Sequence, residues 1–186
     1  TTITNTRVRS HRFSSENVNL QQVKVDWRKY FLADDDEELV AGDYAQVEVR
    51  VGAYVSQDPE LLKIVRAGAD TFEGDIHSQN VFKIFRIPYE EQKLPHNLPY
   101  RVRAKNWMFG AMYGSKGDEV HDVIEKQMLE DPSLAILGIP TISEIRKGLG
   151  NIHDIYSKFF KEWVPNSTYM ARESGNTAYT LFSRPR

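Results

Sequence analysis

With 186 residues, 40% of them hydrophobic, the chain is long enough for one domain with a modest core. Lysine and arginine number 24 against 26 aspartates and glutamates, a formal net charge of −2, so no overall basic field advertises nucleic acid. Cysteine is absent, which excludes disulfides and zinc–cysteine sites, and no apolar run has the length of a membrane span or the look of a signal peptide.

Thr1 stands where a start methionine would, so a processed end, a cut from a longer chain and an expression boundary are all open. Residues 1 to 9 alternate threonine, isoleucine, valine and arginine, which predicts a β-strand. Ser14-Ser15-Glu16-Asn17 reads as a polar loop. Asp34 to Glu38 is an acidic run without return ligands, which predicts a solvated turn. Leu39 to Ala41 is an apolar run short enough for a buried strand, with Asp43 at its end, where strand gives way to helix. A helix is expected from Ala45 to about Ser56, with Val47, Val51, Tyr54 and Val55 as its apolar face. Asp58-Pro59 starts another, running to about Ala67, and Ile76 to Phe85 forms the next. A connector punctuated by Pro88, Pro95 and Pro99 leads into the helix that carries Arg101 to Gly114. Further helices are expected over Gly117 to Glu130 and from Ile139-Pro140 to Trp163, the latter split at Gly148 or Gly150. Thr177 to Phe182 returns to strand character. Strands at both ends with helices between predict an α+β fold.

Residues 101 to 114 carry the strongest chemical signal. Arg101, Lys105, Phe109 and Tyr113 recur every four residues, which puts them on one slowly winding stripe of a helix. Cations at i and i+4 repel each other and oppose the positive end of the helix dipole. A bound phosphate chain reverses that penalty, and a flat aromatic further along can cover a base. The stripe alone also fits a solvated basic face with Phe109 and Tyr113 in the core. Gly110 costs about 1 kcal/mol against alanine in a helix interior. It is tolerated where something must approach the backbone closely, and Gly114 suits a helix stop. Local basic clusters, Arg7, Arg9 and Arg12 or Arg101, Arg103 and Lys105, would have to supply any phosphate binding. Asp43 offers the oxygen ligand that magnesium takes in phosphoryl transfer. The alternative is that Gly42-Asp43 is a turn and Asp43 a helix cap. His77, by itself, reads equally as a surface residue or a cap.

The pattern Arg101-x3-Lys105-x3-Phe109-Gly110-x2-Tyr113-Gly114 resembles the fingers-helix motif of family A DNA polymerases, the bacterial polymerase I group with its phage and mitochondrial relatives. Residues 43 to 50, Asp-Tyr-Ala-Gln-Val-Glu-Val-Arg, are similar to that family's first palm motif, usually Asp-Tyr-Ser-Gln-Ile-Glu-Leu-Arg. Residues 12 to 23 resemble its Arg-Leu-Ser-Ser-x2-Pro-Asn-Leu-Gln-Asn-Ile segment, with His11 and Val18 in place of the usual glycine and proline. Gly74-Asp75-Ile76-His77 is similar to the Asp-Ile-His element, and Thr180 to Arg186 to a Thr-Leu-x-Gly-Arg-Arg-Arg stretch, with Ser183 and Pro185 as departures. Met108 departs from a common asparagine. Single-subunit RNA polymerases have a similar helix, and Tyr113-Gly114-Ser115-Lys116 resembles theirs. They carry a small residue at the position of Glu48 and lack the Phe-Gly pair, so the DNA polymerase resemblance is the closer.

The resemblance implies template-directed DNA synthesis, in which a primer 3′-hydroxyl attacks the α-phosphorus of a dNTP. It implies a partial palm β-sheet with a predominantly helical fingers subdomain. Residues 1–56 would be partial palm with the metal-site strand and helix, 57–170 helical fingers, and 171–186 a return towards the palm. Catalytic roles fall to Asp43, Lys105 and Arg101, with Asp43 and the Tyr44 carbonyl holding Mg2+. Gln46, Glu48, His77, Arg101, Lys105, Phe109 and Tyr113 would bind the incoming nucleotide, Glu48 by closing the space beside the sugar C2′. Phe109 in place of tyrosine implies poor acceptance of dideoxynucleotides. Arg12, Asn19, Gln21, Gln22, Tyr113 and Gly114 would meet primer–template DNA, the polar side chains through the minor-groove acceptors that every base pair presents.

The family's third motif, typically His-Asp-Glu, brings the second metal-binding aspartate. His121-Asp122 and His153-Asp154 are the only His-Asp pairs, and both read as surface pairs on charged helices. Two-metal catalysis needs two placed carboxylates. The expectation is therefore half a metal site, and no polymerisation by these residues unaided. Two other readings stay open: a non-catalytic nucleic-acid-binding relative, and one part of a split polymerase completed by the remaining portion as a separate chain. Expected partners are primer–template DNA and dNTP, with no membrane. The expected location is the cytoplasm, a phage-infected host cell or an organelle.

Overall fold

The computed structural model describes residues 2–4, 14–16, 23, 25–40, 42, 44–68 and 71–175. The chain divides into two units, Thr1–Tyr44 with Ser174–Arg186, and Ala45–Glu173.

In the first unit β1 (Thr2–Thr4) pairs antiparallel with β2 (Ser14–Glu16), Thr2 opposite Glu16 and Thr4 opposite Ser14. A single helical turn, α1 (Val25–Arg28), follows. The acidic run is the solvated turn expected of it: Asp36 has φ 70°, and the Glu37 N–H donates to the Asp34 carbonyl at 3.0 Å. The expected partial palm β-sheet is not found among the described residues. Among the described residues the only strand pairing is the short β1–β2 ladder, and the domain is helical rather than α+β. Leu39 and Val40, expected in a buried strand, are 66% and 91% exposed and in no regular element. A run this short buries little apolar area, and without neighbouring strands its backbone groups are better left to water. Asp43, Arg7, Arg9, Arg12, Asn19, Gln21, Gln22 and the Thr177–Arg186 segment lie outside the described residues.

The second unit is built from α2 (Val47–Ser56), α3 (Pro59–Ala67), α4 (Ile76–Phe85), α5 (Leu98–Met112), α6 (Asp118–Glu130), α7 (Ile142–Ile155) and α8 (Val164–Glu173). Their starts follow local chemistry. Asp58 caps α3 by accepting from the Glu60 and Leu61 N–H groups at 3.0 and 3.1 Å, ahead of Pro59 in the first turn. Thr141 and Glu144 form a reciprocal capping box on α7. Gly114, at φ 71°, ends α5 as expected.

Helix α5 runs through the middle of the unit and packs against α4, α6 and α7. Met108 of this helix and Ile76, Ile124, Ile145, Ile152 and Tyr156 of its surroundings are fully buried. Gly110 does have a close neighbour, but it is protein. A Cβ there would lie 2.4 Å from Val120 Cγ2 and 3.2 Å from Leu149 Cδ2, so the glycine lets α6 and α7 approach α5. Gly148 serves α7 in the same way, since its Cβ would fall 2.3 Å from the Trp107 ring. Neither Gly148 nor Gly150 splits the helix: close packing on Trp107 offsets the cost of glycine at 148, and Gly150 has nothing within 4 Å of where a Cβ would stand. The regular α-helix ends instead at Ile155, before a π-helical stretch, Lys158–Trp163, that leads into α8.

The face that α2 buries is also not the one its branched residues predict. Val49, Gly52, Ala53 and Ser56 are buried, whereas Val47, Val51 and Tyr54 are exposed. Small residues win here because Phe159, from the π-helical stretch, presses onto Gly52, 3.1 Å from where a Cβ would stand. The buried Asp58 fixes that arrangement by accepting from the Phe159 N–H at 3.1 Å with its second oxygen. Among the described residues no helix is long and apolar enough to cross a membrane.

Candidate functional site

The first turn of α4 lies beside the middle of α5, and the chemistry of both is concentrated at this junction. Asp75 caps α4. Its Oδ1 accepts from the His77 and Ser78 N–H groups at 2.9 and 3.3 Å. Its Oδ2 accepts from Ser78 Oγ at 2.9 Å and from Arg101 Nη2 at 2.6 Å. Arg101 Nη1 completes the fork by donating to Ser78 Oγ at 2.6 Å. Burial opposes the charged form of Asp75, but the hydrogen bond and charge of Arg101 outweigh it and hold the carboxyl below its ordinary range.

Gln46 braces the same turn from the start of α2. Its Nε2 donates to the Gly74 carbonyl at 3.1 Å, and its Oε1 accepts from the Ile76 N–H at 3.5 Å. The backbone at Gly74 is tight: a Cβ would fall 1.7 Å from the Gly68 carbonyl oxygen. Glu48 lies two residues further on, half-buried in the first turn of α2.

Along α5 the expected stripe forms. Arg101 is partly exposed and Lys105 exposed, and among the described residues Lys105 has no hydrogen-bond or ion-pair partner. Phe109 follows, with its ring 5.7 Å from His77 on one side and stacked on Tyr113 at 6.5 Å and 17° on the other. Tyr113 ends the row exposed to solvent, with Gly114 after it. His77 is mostly buried. Desolvation, reinforced by the charges of Arg101 and Lys105 and only partly opposed by Asp75, lowers its pKa to about 4. The ring is therefore neutral at pH 7. Its Nδ1 is buried without a hydrogen-bond partner among the described residues.

The structure thus brings Gln46, His77, Arg101, Lys105, Phe109 and Tyr113 to one junction. Tyr44 belongs to the other unit, where it is exposed. Arg103, expected in a basic cluster with Arg101 and Lys105, is not part of the site. It is buried, and its Nη2 donates to the Leu137 and Gly138 carbonyls at 3.1 and 2.9 Å, closing the 3-10 turn Pro132–Leu137. Asp75 and Ser78 were given no role by the sequence. The available signal was an aspartate directly before an apolar-periodic run, which marks a helix cap but says nothing of what else the carboxylate meets.

Among the described residues one group of potential metal-ligating side chains clusters, His121, Asp122 and Glu125, with ligand atoms within 4.8 Å of one another. All lie on α6, with Asp122 and Glu125 exposed, and none belongs to the α4–α5 junction. His153-Asp154 is likewise a surface pair, on α7, with Asp154 bonded to Lys161 at 2.5 Å.

The family model described as DNA polymerase family A matches residues 1–128. DNA polymerase I of Caldicellulosiruptor bescii is 27% identical over 100% of this chain and 20% of its own length. DNA polymerase I of Deinococcus radiodurans is 28% identical over 83% of the chain and 16% of its own length. That of Borreliella burgdorferi is 30% identical over 100% and 18% respectively. The chain spans about a fifth of the length of the curated relatives it matches.

Proposed function

Because this chain belongs to DNA polymerase family A, we propose that its α4–α5 junction grips the incoming deoxynucleoside triphosphate during template-directed DNA synthesis. The observation that carries this reading is the convergence of His77, Arg101, Lys105, Phe109 and Tyr113 on one edge of the second unit. Arg101 and Lys105 hold the β- and γ-phosphates, and neutral His77 adds an N–H from Nε2. Lys105 Nζ, which is free of any competing carboxylate among the described residues, donates a proton to the departing pyrophosphate. Phe109 packs on the base and sugar. Tyr113, at the end of the ring row, stacks at the template position beside Gly114, a contact worth about 1–3 kcal/mol per base. Gln46 keeps α4 in place, and Glu48 blocks a 2′-hydroxyl. Such catalysis is largely positioning and electrostatic stabilisation.

Residues 1–56 serve as partial palm, 57–170 as fingers and 171–186 as the return, with Arg12, Asn19, Gln21 and Gln22 on the primer–template minor groove. Asp43 and the Tyr44 carbonyl are the groups that would hold Mg2+. Both are hard oxygen donors, as that ion requires. When bound, magnesium neutralises phosphate charge and activates the attacking hydroxyl. These residues supply one of the two carboxylates that the chemistry takes, so activity depends on further residues, in the same polypeptide or in a partner chain.

The test is fluorescence anisotropy of a labelled primer–template with the chain, at several salt concentrations, with matched or mismatched dNTP. Tighter binding with the matched dNTP alone is expected, and Lys105→Ala should remove that gain while leaving binary DNA affinity intact. A non-catalytic nucleic-acid-binding relative would instead show a steep salt dependence with no response to the matched nucleotide.

A further inference from the structure

We propose that Asp75 and Ser78 are positioning residues for Arg101. They hold the guanidinium against the first turn of α4 so that its remaining donors meet the triphosphate. The proposal rests on the nucleotide-binding reading of the junction and deepens it.

An arginine next to a lysine one turn away would swing outward to lower their mutual repulsion. Arg101 does not. Both terminal nitrogens are tied inward, Nη2 to Asp75 and Nη1 to Ser78. Ser78 is buried, and Asp75 is itself fixed by capping two N–H groups, so the anchor is rigid. These two bonds use two of the five donors that a guanidinium carries, so the side chain can be held and still bind phosphate. The Asp75 charge also offsets the repulsion between Arg101 and Lys105 while no ligand is present. Ordering a long side chain in advance removes an entropic cost that binding would otherwise bear.

Asp75→Asn isolates this role, because asparagine caps helices as well as aspartate but its Nδ2 cannot accept from Arg101. The experiment is calorimetric titration of the 186-residue chain with Mg2+–dATP, using the parent, Asp75→Asn, Ser78→Ala, Arg101→Ala and the Asp75→Asn/Arg101→Ala double variant, with thermal unfolding of each. Asp75→Asn and Arg101→Ala should each weaken binding about tenfold. The double variant should be no weaker than Arg101→Ala alone, and the midpoint of Asp75→Asn should stay near the parent's. Ser78→Ala should give a smaller loss of the same kind. Unchanged or tighter binding by Asp75→Asn, while Arg101→Ala still weakens it, would overturn the positioning role and make Asp75 a competitor for Arg101. A loss by Asp75→Asn that persists in full on the Arg101→Ala background would reduce it to a structural cap, overturning the role as well. No dATP binding by the parent, or equal binding by Arg101→Ala, would overturn the nucleotide reading of the junction and this proposal with it.

Discussion

Arg101 and Arg103 lie two residues apart on α5 and are spent differently. Arg101 sits at an open edge, its side chain 36% exposed, on a carboxylate and a hydroxyl of α4. Arg103 is 8% exposed and bonds the Leu137 and Gly138 carbonyls, where it ties a loop to the helix. The contrast extends along the whole helix. One edge carries Lys105, Phe109 and Tyr113 towards solvent, while Ala104, Trp107, Met108 and Ala111 are buried against neighbouring helices. Residue type does not separate the two edges; each holds an arginine and an aromatic. The partners do. Arg101 meets the Asp75 and Ser78 side chains at an open edge with Lys105 and Tyr113 exposed beside it, whereas Arg103 meets loop carbonyls and Trp107 lies against Gly148, both buried.

Variants can break or sharpen that division. The largest effect is expected on the packing edge. Trp107→Ala removes a buried ring pressed on Gly148 and should cost about 3–5 kcal/mol in denaturant unfolding. A loss below about 1 kcal/mol would mean that α5 is not the centre of the core.

Next comes the pH response at His77. Its folded-state pKa of about 4 lies below the ordinary 6.5, so the unfolded chain takes up the proton first as pH falls. The stability contributed by the neutral ring is fully present above pH 6.5 and is lost as pH falls through the folded value, up to about 3 kcal/mol. His77→Phe should remove that part of the slope, measured as the difference in unfolding free energy between the two proteins across the window. Parallel pH profiles would show that the ring is not desolvated.

Arg103→Ala should cost about 2 kcal/mol by leaving two carbonyls without their donor, with dATP affinity of the folded protein unchanged. Lys105→Ala should do the reverse. Unfolding should shift by only a few tenths of a kcal/mol, as for an exposed side chain, and Mg2+–dATP binding should fall about tenfold. If either variant behaved like the other, the two edges of α5 would not be distinct.

How far the chain could be read in advance depended on the range of the interactions. Caps and stops are set by neighbours in sequence, so the α3 start at Asp58-Pro59, the α4 bounds and the Gly114 stop were all legible. The four-residue stripe was legible for the same reason. What a helix packs against is not local. The branched face of α2 promised burial, but a close fit of Phe159 to Gly52 decided otherwise. Gly148 looked like a break and is a seat for Trp107, a partner that no periodicity announces. Arg103 counted as one more cation beside Arg101 until the carbonyls at 137 and 138 came within reach. The expected sheet failed because an apolar triplet specifies a strand only when neighbouring strands are there to pair with it.

Photo-crosslinking with 8-azido-dATP and Mg2+, followed by peptide mapping, tests most directly the proposal that this edge of α5 binds nucleotide. Adducts should fall on the peptide carrying Phe109 and Tyr113, disappear with excess unmodified dATP and diminish in Arg101→Ala and Lys105→Ala. Adducts confined to α6, α7 or α8, or labelling of residues 101–114 that neither variant reduces, would contradict it.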